Sequence, residues 1–136
     1  MRTDKENLIV RLTFEFSVEI VKYAELLEEK KKYVIARQIL KSGTSIGANV
    51  REAQNAESNA DFIHKLKISA KEADETEYWL ELCQEVDSYP NHSDLSEKLD
   101  CIQKVLSKIL GTSKRGFKSS KSINHQINSS PNQHVR

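Results

Sequence analysis

Glycine and proline are scarce in this chain, four and two copies among 136 residues. A sequence so short of turn-forming residues, yet full of Lys, Glu, Leu, Ile and Ala, favours helices over strands. Long apolar runs are absent too. No stretch approaches the ~20 apolar residues of a membrane span, and the opening MRTDKENLIVRLTF lacks the apolar segment of a signal peptide. A cytoplasmic, reducing setting is therefore expected, with Cys83 and Cys101 as free thiols on separate helices. Apolar residues reach only 38% and aromatics 7%, enough for one modest core in a single-domain length. A core that thin favours burying further surface by self-association.

The usual signatures of catalysis and metal binding are missing as well. There is no CxxC, no HExxH and no Gly-Lys-Ser/Thr after a strand. A di-metal carboxylate bundle needs two Glu-x-x-His pairs and two further Glu. The nearest approach is Asp61-x-x-His64, with a shorter acid and no second copy. Ser45 and Cys83 have no His at helical spacing to serve as a base. The expectation is a non-enzyme without cofactor or metal.

What is present is periodicity. Thr3-x-x-Glu6 reads as a capping box, followed by Ile9, Leu12, Phe16, Ile20, Tyr23 and Leu27 at spacings of three and four. Val10, Phe14, Val18 and Val21 widen that stripe, which predicts more than one packed neighbour. Charged residues 28–32 break it, and a second helix follows with Ile35, Ile39, Gly43, Ile46, Val50 and Ala53 inward. Ser58-x-x-Asp61 caps a third helix whose inner face is Phe62, Leu66, Ser69, Ala73, Thr76, Leu80 and Cys83. Pro90 enforces a break. A fourth helix opens at Asp94 and keeps a heptad of Leu95, Leu99, Ile102, Leu106 and Ile109, with Gly111 placed as its left-handed terminator. The predicted fold is all-α: an antiparallel up-down-up-down four-helix bundle over 1–111, followed by a disordered basic tail over 112–136. Five of the 21 basic residues and none of the 20 acidic ones fall in that tail, which leaves the body four charges negative.

Gly43 and Gly47, four residues apart on an apolar face, each cost about 0.5–1 kcal/mol relative to Ala in a helix interior. They imply a neighbouring backbone that comes close, or else a local unwinding that offers amides to an anion. The same region carries a resemblance. Ser42 through Asn49, Glu52-Ala53, Asp61-Phe62-Ile63, Lys71-Glu72-Ala73, Glu75-Thr76 and Tyr78-Trp79-Leu80 resemble the four-helix bundle proteins encoded in 23S rRNA intervening sequences. They are similar also to the accessory variability (Avd-like) proteins of diversity-generating retroelements. The resemblance runs from about Leu8 to Leu110. It implies a homopentamer whose positive surface engages nucleic acid, RNA above all, and a reverse transcriptase. Trp79 reads as a core or subunit-interface anchor.

The residues that would carry such binding are basic. Arg37, Lys41 and Arg51 fall near one side of the second helix, Lys65, Lys67 and Lys71 cluster on the third, and Lys114, Arg115 and Lys118 open the tail. Repeated around a ring, these charges would sum their field. The alternative expectation is a protein-interaction ring that docks a reverse transcriptase or another enzyme without touching nucleic acid.

Overall fold

The computed structural model describes residues 4–117. Four helices account for nearly all of them: α1 (Asp4–Glu29), α2 (Tyr33–Ala53), α3 (Asn59–Glu85) and α4 (Ser93–Phe117). Among the described residues there is no strand, and no helix is long and apolar enough to cross a membrane.

Each boundary has a local cause. α1 ends in a Schellman motif without glycine: the Lys32 amide donates to the Leu27 carbonyl at 2.8 Å and the Lys31 amide to Glu28 at 2.9 Å. Lys31 takes the left-handed conformation this requires, at φ 65°. Ser58, extended at φ −155°, accepts the Asp61 amide at 3.0 Å and caps α3. Asp61 in turn accepts the Glu57 amide at 3.3 Å. The Asn91 side chain accepts the Ser93 amide at 3.0 Å, just past Pro90, and α4 begins there. Thr3 of the expected capping box lies outside the described residues.

Each helix touches two others: α1 meets α2 and α4, and α3 meets α2 and α4, while the α1–α3 and α2–α4 pairs make no close approach. The four therefore stand at the corners of a square around one core. Ile9, Phe16, Ile20 and Leu27 of α1, Ile39, Ile46 and Val50 of α2, Leu66 and Leu80 of α3, and the α4 heptad of Leu95, Leu99, Ile102, Leu106 and Ile109 are buried there. Burying a side chain of this size contributes roughly 1.5–3 kcal/mol. Along the α2–α3 seam, small polar side chains fix the register. Ser69 donates to the Ile46 carbonyl at 2.9 Å, and the Thr76 and Ser42 hydroxyls share a hydrogen bond of 2.9 Å. All three residues are fully buried, so only one sliding position of α2 on α3 satisfies them.

Three expectations change. Gly111 does not end α4: the helix continues through it to Phe117, and no described glycine has positive φ. Residues 112–117 thus extend the helix, and the remainder of the expected tail, from 118 onward, lies outside the described residues. The widened stripe of α1 is packed only in part: Val10 lies against the core and α1 does meet two helices, but Phe14, Val18 and Val21 are exposed while Thr13 is buried. Thr13 tolerates burial because its hydroxyl donates to the Ile9 carbonyl at 2.8 Å. Finally, α2 is helical through both glycines, which removes the unwound anion site, and the two serve different neighbours. A Cβ on Gly47 would lie 3.2 Å from the Thr13 carbonyl oxygen, so here backbone does approach backbone. A Cβ on Gly43 would lie 2.9 Å from two γ-carbons of Ile20, so that glycine makes room for a side chain.

Candidate nucleic-acid interface

The basic residues singled out by spacing divide into three situations. Arg37 and Lys41 are exposed one turn apart on α2, and Lys67 and Lys71 are exposed one turn apart on α3. Among the described residues, none of these four forms an ion pair. Their charge is therefore free to meet an incoming anion without first breaking a bond inside the molecule.

Lys65 differs. Its ammonium binds Glu52 Oε1 at 2.9 Å, a bond that links the end of α2 to the start of α3. That hydrogen bond, and then the Glu52 charge, hold the Lys65 ammonium above the ordinary lysine value. Exposed pairs of this kind contribute only ~0–1 kcal/mol, yet a phosphate must compete with the carboxylate already present. Arg51 is exposed but lies over the Phe14 ring, 5.7 Å from its centroid, which directs it toward α1. Lys114 and Arg115 fall on the last turns of α4, and Lys118 lies outside the described residues.

Because α2 and α3 occupy adjacent corners of the square, their outward faces look in different directions. The pair Arg37–Lys41 and the pair Lys67–Lys71 are two separate patches of the chain. Carboxylates crowd the second: residues 72–85 carry Glu72, Asp74, Glu75, Glu77, Glu81 and Glu85 without a basic residue. Trp79 lies half-buried within that stretch, its indole N–H donating to Glu75 at 3.0 Å and its ring edge-on to Tyr78 at 5.2 Å.

Spacing alone missed two features. Lys30, Lys31 and Lys32 read as a mere break, but the Schellman turn sets Lys30 and Lys31 exposed at the end of the molecule where α2 begins. Lys32 is committed: it donates to Ser88 at 3.1 Å and lies 5.0 Å from the Tyr89 centroid. His92, in the connection that Pro90 opens, is buried at the head of α4, edge-on to Tyr23 at 5.8 Å and with Nδ1 3.0 Å from the Ser96 hydroxyl. Tyr23 closes this end by donating to the Pro90 carbonyl at 2.9 Å. Among the described residues no three His, Cys, Asp or Glu side chains gather where they could hold a metal ion.

The sequence pattern of the 23S rRNA-intervening sequence proteins matches residues 5–108. The chain belongs to that family. All four helices of this 23S rRNA-intervening sequence protein contribute to the match, and so do Arg37, Lys41, Arg51, Lys65, Lys67 and Lys71; Lys114, Arg115 and Lys118 lie beyond it. The fold is also similar to the crystal structure of a protein of unknown function from the S23 ribosomal protein family of Bacteroides thetaiotaomicron. The TM-score is 0.74 at 45% identity, over 79% of this chain and 98% of that one. No curated protein sequence matches the chain.

Proposed function

We propose that this 23S rRNA-intervening sequence protein is a non-enzymatic cytoplasmic scaffold, an antiparallel up-down-up-down bundle that assembles into a closed homo-oligomer, a pentamer, and binds RNA. The antiparallel arrangement is supported by contacts that descend on one helix as they ascend on its neighbour: Ile20 meets Gly43 and Thr13 meets Gly47, while Glu52 meets Lys65 and Ser42 meets Thr76. The observation that carries RNA binding is the set of exposed cations without carboxylate partners, Arg37, Lys41, Lys67 and Lys71, on a chain of this family. Lys114, Arg115 and Lys118 add to it. Exposed aromatic platforms are few, so phosphate contacts dominate and base readout is slight.

A mobility-shift titration with single-stranded RNA at two salt concentrations tests this. Four phosphate contacts predict that affinity falls roughly fiftyfold for a fourfold rise in salt. Absence of a shift at low salt removes the reading.

A second reading is favoured by the acidic stretch of α3 around Tyr78 and Leu82, which suits a protein partner with a basic, apolar face. A reverse transcriptase, as the likeness to accessory variability proteins suggests, is such a candidate. A pull-down that recovers RNA and no protein argues against it.

A further inference from the structure

Apolar side chains left on the outside of this bundle are not scattered evenly. Phe14, Val18, Val21 and Leu26 are exposed on α1, Tyr33, Val34 and Leu40 on α2, and Tyr78 and Leu82 on α3 with Val86 at its C-cap; among the described residues of α4, up to 112, no large apolar side chain is exposed. Phe14, Val18 and Val21 follow spacings of four and three, and Tyr78 and Leu82 are four apart, so each set forms a stripe along its helix, with Val86 at the C-cap beyond the second. Phe14 reaches the α2 side of α1, since Arg51 covers its ring. Leu40 is seven residues before Gly47, the residue at which α2 touches α1. It therefore lies on the α1 edge of α2. Together these residues make one strip along the outer α1–α2 groove, and the α3 stripe makes another on a helix that α1 does not touch.

The two strips are rimmed by opposite charge. Arg37, Lys41 and Arg51 flank the first on α2; on α1 the Arg11–Glu15 and Glu19–Lys22 ion pairs cancel, and Glu25 and Glu28 lie at its far end. Glu75, Glu81 and Glu85 flank the second, with Lys71 at its start. Pairing either strip with a copy of itself would set like charges side by side, at a cost, whereas pairing one with the other sets carboxylates beside guanidinium and ammonium groups.

From this we propose that the subunit contact of the assembly joins the α1–α2 strip of one copy to the α3 strip of the next. The inference rests on the self-assembly put forward above and names its faces. Such a contact is heterologous: every copy offers one of each strip, so the chain of contacts propagates and ends only by closing into a ring. It leaves α4 facing solvent. Lys67, Lys30 and Lys31 are exposed outside both strips.

The test uses the full chain, with mass measured by light scattering after gel filtration and folding checked by circular dichroism. V18E inactivates the first strip and L82E the second, both at exposed positions; F14E and Y78E replace them should either fail to fold. The expected result is a multimer for the wild-type chain, a folded monomer for each variant alone, and a 1:1 dimer when the two variants are mixed, since one intact strip of each kind then remains. A dimer of V18E or L82E alone would overturn the proposal in favour of self-pairing strips. Wild-type mass for both variants would overturn the choice of faces while leaving self-assembly standing. A monomeric wild-type chain would remove the assembly itself.

Discussion

Two glycines of the same chain are expected to respond to alanine differently, one gaining stability and the other not. Gly111 lies within α4, and a Cβ built there meets nothing within 4 Å. Alanine at that position recovers the helix propensity that glycine forfeits, about 0.5–1 kcal/mol, with no packing term against it. For a chain of this size the melting temperature should rise by roughly 2–5 °C. Gly43→Ala recovers the same propensity but drives a Cβ to 2.9 Å from two carbons of Ile20, which is fully buried and has nowhere to retreat. Overpacking of this kind costs about 1–3 kcal/mol, so the net effect is neutral to a loss of about 2 kcal/mol. The difference between the variants is the stronger quantity, because propensity and unfolded-state entropy are common to both and cancel. Thermal melts followed by circular dichroism at one fixed protein concentration give it directly; the concentration must be held because a self-associating chain melts higher when concentrated. If Gly111→Ala lowers the melting temperature, that residue is a left-handed terminator after all. If Gly43→Ala proves at least as stable as Gly111→Ala, no close approach exists at Ile20.

Other residues make comparably direct predictions. Lys31 is in the left-handed region at φ 65°, so Lys31→Gly should be neutral to stabilising by about 1 kcal/mol, and a loss beyond 1 kcal/mol in chemical denaturation would contradict that conformation. Burial raises the Cys83 thiol above its ordinary 9.0, and burial first, then the neighbouring Cys83, raises the Tyr23 phenol above its ordinary 10.0. Both groups bind their protons more tightly when folded, so their stabilisation is complete below pH 9.0 and is lost progressively above it. Melting temperature should hold level to that point and then fall; Tyr23→Phe should flatten the steepest part while losing about 0.5–1.5 kcal/mol of the bond to Pro90 at neutral pH, and an unchanged alkaline slope would count against the assignment. Of the two thiols, exposed Cys101 should react with a disulfide reagent at once and buried Cys83 only on unfolding. Equal rates in the folded protein would show that this end of the bundle is open.

Periodicity exposed the core more fully than it exposed the surface, and the reason is physical. Ile39, Ile46, Val50, Leu66, Leu80 and the α4 heptad recur every three or four residues because one side of each helix must leave water, and that demand is written in the residues themselves. The same rule misjudged Phe14, Val18 and Val21: an apolar stripe announces that something should cover it without saying whether the cover is another helix of the chain or another molecule. Gly111 was ambiguous for a related reason, since glycine both ends helices and is tolerated inside them, and only the path of the backbone distinguishes the two. Lys31 hid for the converse reason: a lysine in a left-handed turn carries no sign of it in its composition.

The residues proposed to bind RNA were legible as charges but not as free charges. Spacing put Lys65, Lys67 and Lys71 together on one helix, yet Glu52, thirteen residues earlier, neutralises the first of them, and only the α2–α3 packing brings that carboxylate within 2.9 Å. The same packing separates Arg37 and Lys41 from Lys67 and Lys71 by turning their helices outward on adjacent sides. A single copy therefore offers an RNA only short, divided runs of positive charge, and each exposed contact adds little in water. On the proposed reading, affinity comes from repetition. If copies join through the α1–α2 and α3 strips, Lys67 of successive copies recurs at a fixed interval around the ring, and a strand that binds one copy meets the next at high effective concentration. V18E should then weaken RNA binding far more than its one added charge accounts for. Lys67→Ala should weaken it without changing the assembled mass. If V18E abolishes assembly and leaves RNA affinity intact, binding belongs to the single copy, and the scaffold role loses its physical basis.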